Sequence, residues 1–472
     1  MKKIIAIFII IFTFTFANSS RAIPHELESK ISSIPLSRNS YSIYIKNLHT
    51  QEEIASWNIY RAMKPASVIK LLTTYAGVLG LGLDYRWETK FYHSGYIKNG
   101  VLHGNLVIKA SGDPTLKSRD IPQIVDSIES FGINKKILGD IVIDRTLFQV
   151  PWQNSSKFDR NRYSPYNAMP DAMMFNERKS TLCITPSGRT VKLNRVDGDK
   201  SYRVVNRLRV VNRSCRGGYS WPKVRIKTDT NQRSTIFLSG KISKRCGKRT
   251  ICKVVSMPHR SFYYALKDEL KRRGIKFVGT LKLRKVLKRD KYMFSHHSPT
   301  LKEVISIILK KSNNLMARQL FLTIGTLYYQ PPINTLKAST AVKRVLNRHH
   351  ILADNYTIIQ NGSGLSRVSR VSTKTLANLL EDAYINYDYR WLESLSIAGI
   401  DGTIRRRFQN STVYGRAWMK TGTIKHVSNI AGYVEGISGD KYIVIILVNS
   451  PKSARYGRVL ANRVIEWVAD NL

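Results

Sequence analysis

The sequence predicts an α+β fold: a five-stranded antiparallel sheet flanked by helices, closed from both ends of the chain around a large, mainly β insertion. Three observations predict it. Residues 40–46 and 54–59 are short runs of β-formers joined by turn-forming residues 47–52, and an apolar helical stretch follows from residue 65. Residues 417–423, 428–435 and 442–449 read as three further strands, and the last of them (Tyr-Ile-Val-Ile-Ile-Leu-Val-Asn) is the unbroken apolar run expected of a buried strand. Between these ends, residues 86–291 alternate short strand-like runs with turns, and helical periodicity returns at residue 301. The predicted organisation is a signal peptide over residues 1–22, one discontinuous domain over 23–85 plus 292–472, and an inserted basic, cysteine-containing region over 86–291, divided into two smaller domains.

The leader is read from Lys2-Lys3, an apolar run over residues 4–16 and a small-residue exit ending at Ala22. The apolar run falls short of the about 20 residues that a membrane span needs, so the chain is expected to be exported. Export removes nucleic acid from the partners that a formal charge of +45 would otherwise suggest. Anionic wall polymers and an acidic membrane surface remain as electrostatic partners. Cys183, Cys215, Cys246 and Cys252 all fall in the insertion, so one or two disulfides are expected there, with three pairings open and free buried thiols as the alternative. No Cys-x-x-Cys or nearby His pair suggests zinc, and no metal or other cofactor is expected.

Taken in order, Pro65-Ala66-Ser67-Val68-Ile69-Lys70 reads as the opening turn of an apolar helix, proline being suited to a helix start. Ser67 and Lys70 then share one face with Cβ atoms about 5–6 Å apart. A lysine whose charge is disfavoured by burial can take the proton of a serine hydroxyl. In the insertion, residues 102–109 and 137–143 read as strands around a helix at 121–131, followed by β-type runs at 208–211 and 235–238; Asp113 reads as a turn-former. Helices are expected at 301–310, 316–328, 338–348 and 373–384, with Ser312-Asn313-Asn314 in the first connection. Residues 361–366 form a glycine-rich loop, residues 396–403 a turn, and residues 455–472 a charged amphipathic helix.

Three short motifs therefore stand in order: Ser67-x-x-Lys70, Ser312-x-Asn314 and Lys420-Thr421-Gly422. Each is weak alone. Together, with the first opening a helix and the last on a strand edge, they resemble the penicillin-recognising serine enzymes. Within these the resemblance is to the D-alanyl-D-alanine carboxypeptidase/endopeptidase family, the class C low-molecular-weight penicillin-binding proteins of peptidase family S13. Ser111-Gly112-Asp113-Pro114-Thr115-Leu116, Gly362-Ser363-Gly364-Leu365-Ser366-Arg367, Ala398-Gly399-Ile400-Asp401-Gly402-Thr403 and Ala431-Gly432-Tyr433 extend it over most of the chain. Asn313 and Asn361 depart from positions where Asp is common, and Arg318 stands where Glu is frequent.

The resemblance implies the penicillin-binding-protein/β-lactamase-like transpeptidase fold and an exported, periplasmic or cell-envelope-associated serine peptidase. It implies Ser67 as nucleophile, Lys70 as base, and Ser312 with Lys420 as the relay to the leaving amine. Asn314 would hold the substrate amide and Lys70. Thr421, Gly422 and Thr423 would line the substrate, the N–H groups of Ser67 and Thr423 forming the oxyanion hole. The implied partners are peptidoglycan stem peptides, with β-lactam antibiotics as covalent inhibitors. A serine β-lactamase and a non-catalytic binder of anionic envelope polymers are the alternative readings.

Overall fold

A computed structural model describes residues 22–149, 156–196, 199–231 and 233–472. The expected leader lies outside the described residues except for Ala22.

The central sheet runs in the order Ser396–Ile397, Ala417–Ile424, Val427–Glu435, Lys441–Asn449, Tyr41–Asn47, Glu53–Trp57, with every neighbour antiparallel. The two ends of the chain thus meet where Tyr41–Asn47 pairs with Lys441–Asn449. The five expected strands are present, and the two-residue strand Ser396–Ile397 is a sixth. Two residues are too few to carry a period-2 pattern, so the sequence offered only a turn there.

The pleat explains the unbroken apolar run at the sheet centre, because alternate side chains enter different cores. Val444, Ile446 and Val448 pack with Leu460, Val464 and Ile465 of the C-terminal helix Ser453–Asn471. Ile443, Ile445 and Leu447 face the opposite layer, which includes Leu376 and Leu380 of the helix Thr373–Tyr387 and Leu72 and Tyr75 of the helix Lys70–Leu81.

Helix starts follow their capping chemistry. Thr300 and Glu303 form a reciprocal capping box on Leu301–Lys310. The Asn313 side chain accepts from the N–H groups of Leu315 and Met316, so the next helix begins at Asn314 and ends at Gly325. The sequence predicts that start at Met316, and the Asn313 cap moves it two residues earlier.

The intervening residues build two bodies of sheet. Glu88–His93, Leu106–Lys109, Ile141–Asp144, Leu281–Leu283 and Lys291–His297 form a mixed five-stranded sheet, beside a four-stranded one and the helices Ile121–Ser130 and Pro258–Arg272. Within the sequence between them, Ser180–Ser187 pairs with Thr190–Arg195 and Arg249–Lys253, while Ser234–Ser243 pairs with Arg203–Val211 and Lys223–Thr228. Leu182, Ile184, Ile236, Leu238 and Ile251 form a separate core between these two sheets. Cys215 and Cys246 are joined by a disulfide. Cys183 and Cys252 are thiols on paired strands, Cys183 opposite Thr250 and Cys252 opposite Thr181. Among the described residues no helix is long and apolar enough to cross a membrane.

Candidate active site

Ser67 lies in a 3-10 turn, Ala66–Ile69, and the α-helix proper starts at Lys70. This departs from the simple helix opening expected from sequence. Ala66 has φ of +46°, a conformation that L-residues adopt at a cost of about 1–3 kcal/mol. The surroundings hold it there. The Lys64 N–H donates to Asn449 Oδ1 at 2.7 Å, and the Lys64 carbonyl accepts from Asn429 Nδ2 at 2.8 Å and Asn449 Nδ2 at 3.2 Å. Two asparagines on neighbouring strands therefore clamp the chain just before the turn.

Two glycines pack against the same turn. A Cβ on Gly364, whose φ is +80°, would stand 1.9 Å from the Ala66 carbonyl oxygen. One on Gly422 would stand 2.7 Å from the Pro65 oxygen and 2.9 Å from the Ser67 nitrogen. The glycine-rich loop and the Lys-Thr-Gly strand can therefore come this close to Ser67 only without side chains at these positions.

Lys70 is fully buried while Ser67 is partly accessible. The Lys70 Nζ lies 2.8 Å from Ser67 Oγ and 2.7 Å from Asn314 Oδ1, and it also donates to the Ser363 carbonyl. Burial, reinforced by the charges of Lys420 and Arg318, holds the Lys70 amine well below the usual lysine range. Lys420 is also fully buried, and burial pushes its amine down to about 7. Its Nζ donates to Ser312 Oγ at 3.0 Å and to the Thr421 carbonyl at 3.0 Å. Ser312 itself has φ of +52°. Thr421 Oγ1 donates to Thr403 Oγ1 at 2.8 Å, and Thr423 is exposed on the same strand.

The eight residues singled out from sequence thus fall around one place. Asn314 links two parts of it: its Oδ1 receives Lys70, and its Nδ2 donates to the Tyr166 carbonyl at 3.2 Å. Asp113 is the turn-former expected, accepting from the N–H and hydroxyl of Thr115, but it is buried and its carboxyl is pushed up to about 6 by burial. The Ser363 carbonyl, Arg318, Thr403 and the Asn429–Asn449 clamp escaped the sequence reading of the site. Only the spacing Gly362-Ser363-Gly364 hinted at such a close approach. Among the described residues no cluster of His, Cys, Asp or Glu could hold a metal ion.

A serine and a buried lysine at a helix start, faced by a Lys-Thr-Gly strand of an antiparallel sheet, define the penicillin-recognising class of serine enzymes. The family model of D-Ala-D-Ala carboxypeptidase 3 (S13) matches residues 24–470, and the chain belongs to that family. It is 27% identical over 419 residues to the D-alanyl-D-alanine carboxypeptidase DacB of Haemophilus influenzae, covering 86% of this chain and 84% of that one. It is 25% identical over 429 residues to the D-alanyl-D-alanine carboxypeptidase of an Actinomadura species, covering 86% and 77% respectively. The crystal structure of H. influenzae penicillin-binding protein 4 matches with a TM-score of 0.78 at 24% identity, over 93% of this chain and 99% of that one. A structure of the same H. influenzae protein in complex with a β-lactam matches with a TM-score of 0.74 at 26% identity over the same shares.

Proposed function

We propose that this protein is an exported serine DD-peptidase that cleaves the D-Ala–D-Ala bond of peptidoglycan stem peptides, or the peptide cross-links between them, through an acyl-enzyme on Ser67. The observation that carries the reading is the fully buried Lys70 amine 2.8 Å from Ser67 Oγ. A neutral amine there accepts the hydroxyl proton as Oγ attacks the carbonyl carbon. The Ser67 N–H, beside which the strand passes at Gly422, and the Thr423 N–H receive the developing oxyanion. As the C–N bond breaks, Ser312 and Lys420 relay to the departing amine the proton that Lys70 took, which leaves Lys70 neutral for the second half of the reaction. Water then adds to the ester carbonyl as Lys70 takes its proton, the C–O bond to Ser67 breaks, and the serine recovers that proton from Lys70. Lys420, Thr421 and Thr423 receive the terminal carboxylate of the substrate, and Asn314 its backbone amide.

The division of the chain into a catalytic domain at 23–85 plus 292–472 and an insertion at 86–291 belongs to this proposal. So does association with an anionic wall or membrane surface. Support for it comes from a cleft of about 760 Å³ in the insertion, lined by Arg160, Arg162, Trp221, Arg225 and Lys253, with no acidic side chain on its walls among the described residues. An envelope or periplasmic location follows from the same reading.

Labelling with a fluorescent penicillin, peptide mapping of the adduct and mass spectrometry of digested peptidoglycan test the proposal together. A stable adduct on Ser67, lost in Ser67→Ala together with D-Ala release, is the expected result. Rapid turnover of the adduct would make the protein a β-lactamase. Absence of any adduct would make it a non-catalytic binder.

A further inference from the structure

Arg318 is a buried cation, 7% exposed, on the helix Asn314–Gly325. Burying a guanidinium is costly unless an anion or several acceptors compensate. Among the described residues no carboxylate pairs with it. It is held by neutral acceptors instead: Nη1 donates to the carbonyls of Ala168 at 2.7 Å and Asn167 at 3.4 Å, and Nε to Ser363 Oγ at 3.3 Å. Ser363 Oγ in turn donates to Asn361 Oδ1 at 2.9 Å, a neutral amide. The other side of Ser363, its carbonyl, accepts from Lys70 Nζ. One residue therefore joins the buried Arg318 cation to the buried Lys70 amine.

Among the described residues no acidic side chain bears on either group. The charged groups that bear on Lys70 are Lys420 from the strand Ala417–Ile424 and Arg318 from the helix Asn314–Gly325. The contacts from its own segment, from the same helix and from the glycine-rich loop are the neutral Ser67, Asn314 and Ser363. Arg367, the charge next along that loop, instead lies over the Phe158 ring. Burial lowers the Arg318 guanidinium only to about 10, so it stays charged through the physiological range. Lys420 differs in kind: with its amine near 7, its charge fades as pH rises. Arg318 is the permanent member of the pair.

Resting on the acylation chemistry proposed for Ser67, we infer that Arg318 is a positioning residue that acts through Lys70: as a fixed buried cation sharing Ser363, it opposes a second positive charge on the Lys70 amine and so sets how acidic the medium can become before acylation fails. The effect is electrostatic and needs no contact with substrate. Its sign is fixed by charge. Removing the cation, or neutralising it with a nearby anion, makes protonated Lys70 easier to form and moves the acidic limb of the acylation profile to higher pH.

The test is the rate of penicillin acylation of the full-length protein across about pH 5–10, in the wild type and in Arg318→Gln, Arg318→Lys and Asn361→Asp. Arg318→Gln should move the acidic limb upward by about one pH unit, an approximately tenfold loss below the limb with rates converging in alkali. Arg318→Lys, which restores the charge, should restore the wild-type limb. Asn361→Asp places an anion beside Ser363 with Arg318 untouched and should move the limb in the same direction as Arg318→Gln, which keeps the idea testable if Arg318→Gln does not fold. A purely structural role would lower the rate equally at every pH and leave the limb in place, and that result overturns the inference. If the wild type forms no Ser67 adduct at any pH, the proposed function fails instead, and the two failures are told apart by that control.

Discussion

Lys420 Nζ lies 3.0 Å from Ser312 Oγ at a fully buried position, on a strand whose next residue, Thr421, reaches Thr403. This strand presents a cation whose charge is itself conditional, because burial brings the amine down to about 7. The proposed carboxylate contact needs Lys420 protonated, so binding strength should fall as pH rises through that value. The KM for a D-Ala–D-Ala peptide should therefore rise above about pH 7, while the KM of a matching substrate with its terminal carboxylate amidated should not. Parallel pH profiles for the two substrates would remove Lys420 from the carboxylate site.

Lys70→Arg separates charge from basicity. Arginine stays protonated in proteins and cannot accept the Ser67 proton. Acylation should drop by several orders of magnitude, with the circular dichroism spectrum unchanged. Near wild-type acylation by a folded Lys70→Arg protein would transfer the base role to another group.

Gly364→Ala tests the close approach behind Ser67. The added Cβ meets the Ala66 carbonyl oxygen at 1.9 Å from a backbone with φ of +80°, so either the loop or the Ser67 turn must move. Displacements of about 1 Å at a reacting centre can cost about a hundredfold in rate. Acylation should fall at least that far, with a smaller loss of thermal stability, since only one loop has to shift.

Asp113 offers a stability test with a definite sign. Burial raises its folded-state pKa from 3.8 to about 6, so its ionisation opposes folding. The penalty is absent below about pH 3.8, grows as pH rises and is complete above about pH 6. Asp113→Asn keeps an oxygen that can accept from Thr115 and has no charge to desolvate. It should stabilise the protein by up to about 3 kcal/mol at pH 7.5, by less at pH 5, and by almost nothing near pH 3. Denaturant titrations at the three pH values measure this, and a gain that does not change with pH would contradict the account.

The disulfide Cys215–Cys246 closes a separation of 31 residues in the inserted sheets. On the loop-entropy account such a bridge contributes about 3–4 kcal/mol. Cys215→Ser with Cys246→Ser should lower the unfolding midpoint of these sheets. The Ser67–Lys70 pair draws nothing from that core and should keep its penicillin reactivity in the folded protein.

The motifs were legible because their chemistry is local. Ser67 and Lys70 are three residues apart, and Lys420, Thr421 and Gly422 are contiguous on a strand whose apolar neighbours betray it. Closure of the sheet by both chain ends was legible too, since the strands at 41–47 and 441–449 each carry strong β patterns. What lay hidden depends on long-range approach. The Asn429–Asn449 clamp on residue 64 and the Ser363 carbonyl on Lys70 join residues hundreds of positions apart, and the burial of Arg318 depends on partners 45 to 151 positions away. The positive φ of Ala66 was hidden for a related reason, because alanine carries no preference for it and only the surrounding packing imposes it. Among the cysteines, spacing cannot choose between pairings; the chain path brings Cys215 to Cys246, while Cys183 and Cys252 sit across a ladder two residues out of register.

The formal charge of +45 exceeds what the carboxylate site needs, and the cleft of Arg160, Arg162, Trp221, Arg225 and Lys253 gives part of it a location. Arg225 stands on the strand Lys223–Thr228, where Lys223, Arg225 and Lys227 alternate toward one exposed face. An anionic polymer lying along such a face would be held by charge and by the Trp221 ring, and hardly by shape. Binding of this kind weakens with salt, since the screening length falls from about 10 Å at 0.1 M to about 3 Å at 1 M. The protein should therefore sediment with purified cell wall or anionic vesicles at low salt and be released at high salt. Arg225→Glu with Lys253→Glu should reduce the pelleted fraction severalfold at low salt, while hydrolysis of a small soluble D-Ala–D-Ala peptide, which does not reach the cleft, stays at the wild-type rate. Equal pelleting at 0.1 M and 1 M salt, or pelleting unaffected by the double substitution, would show that this cleft is no tether.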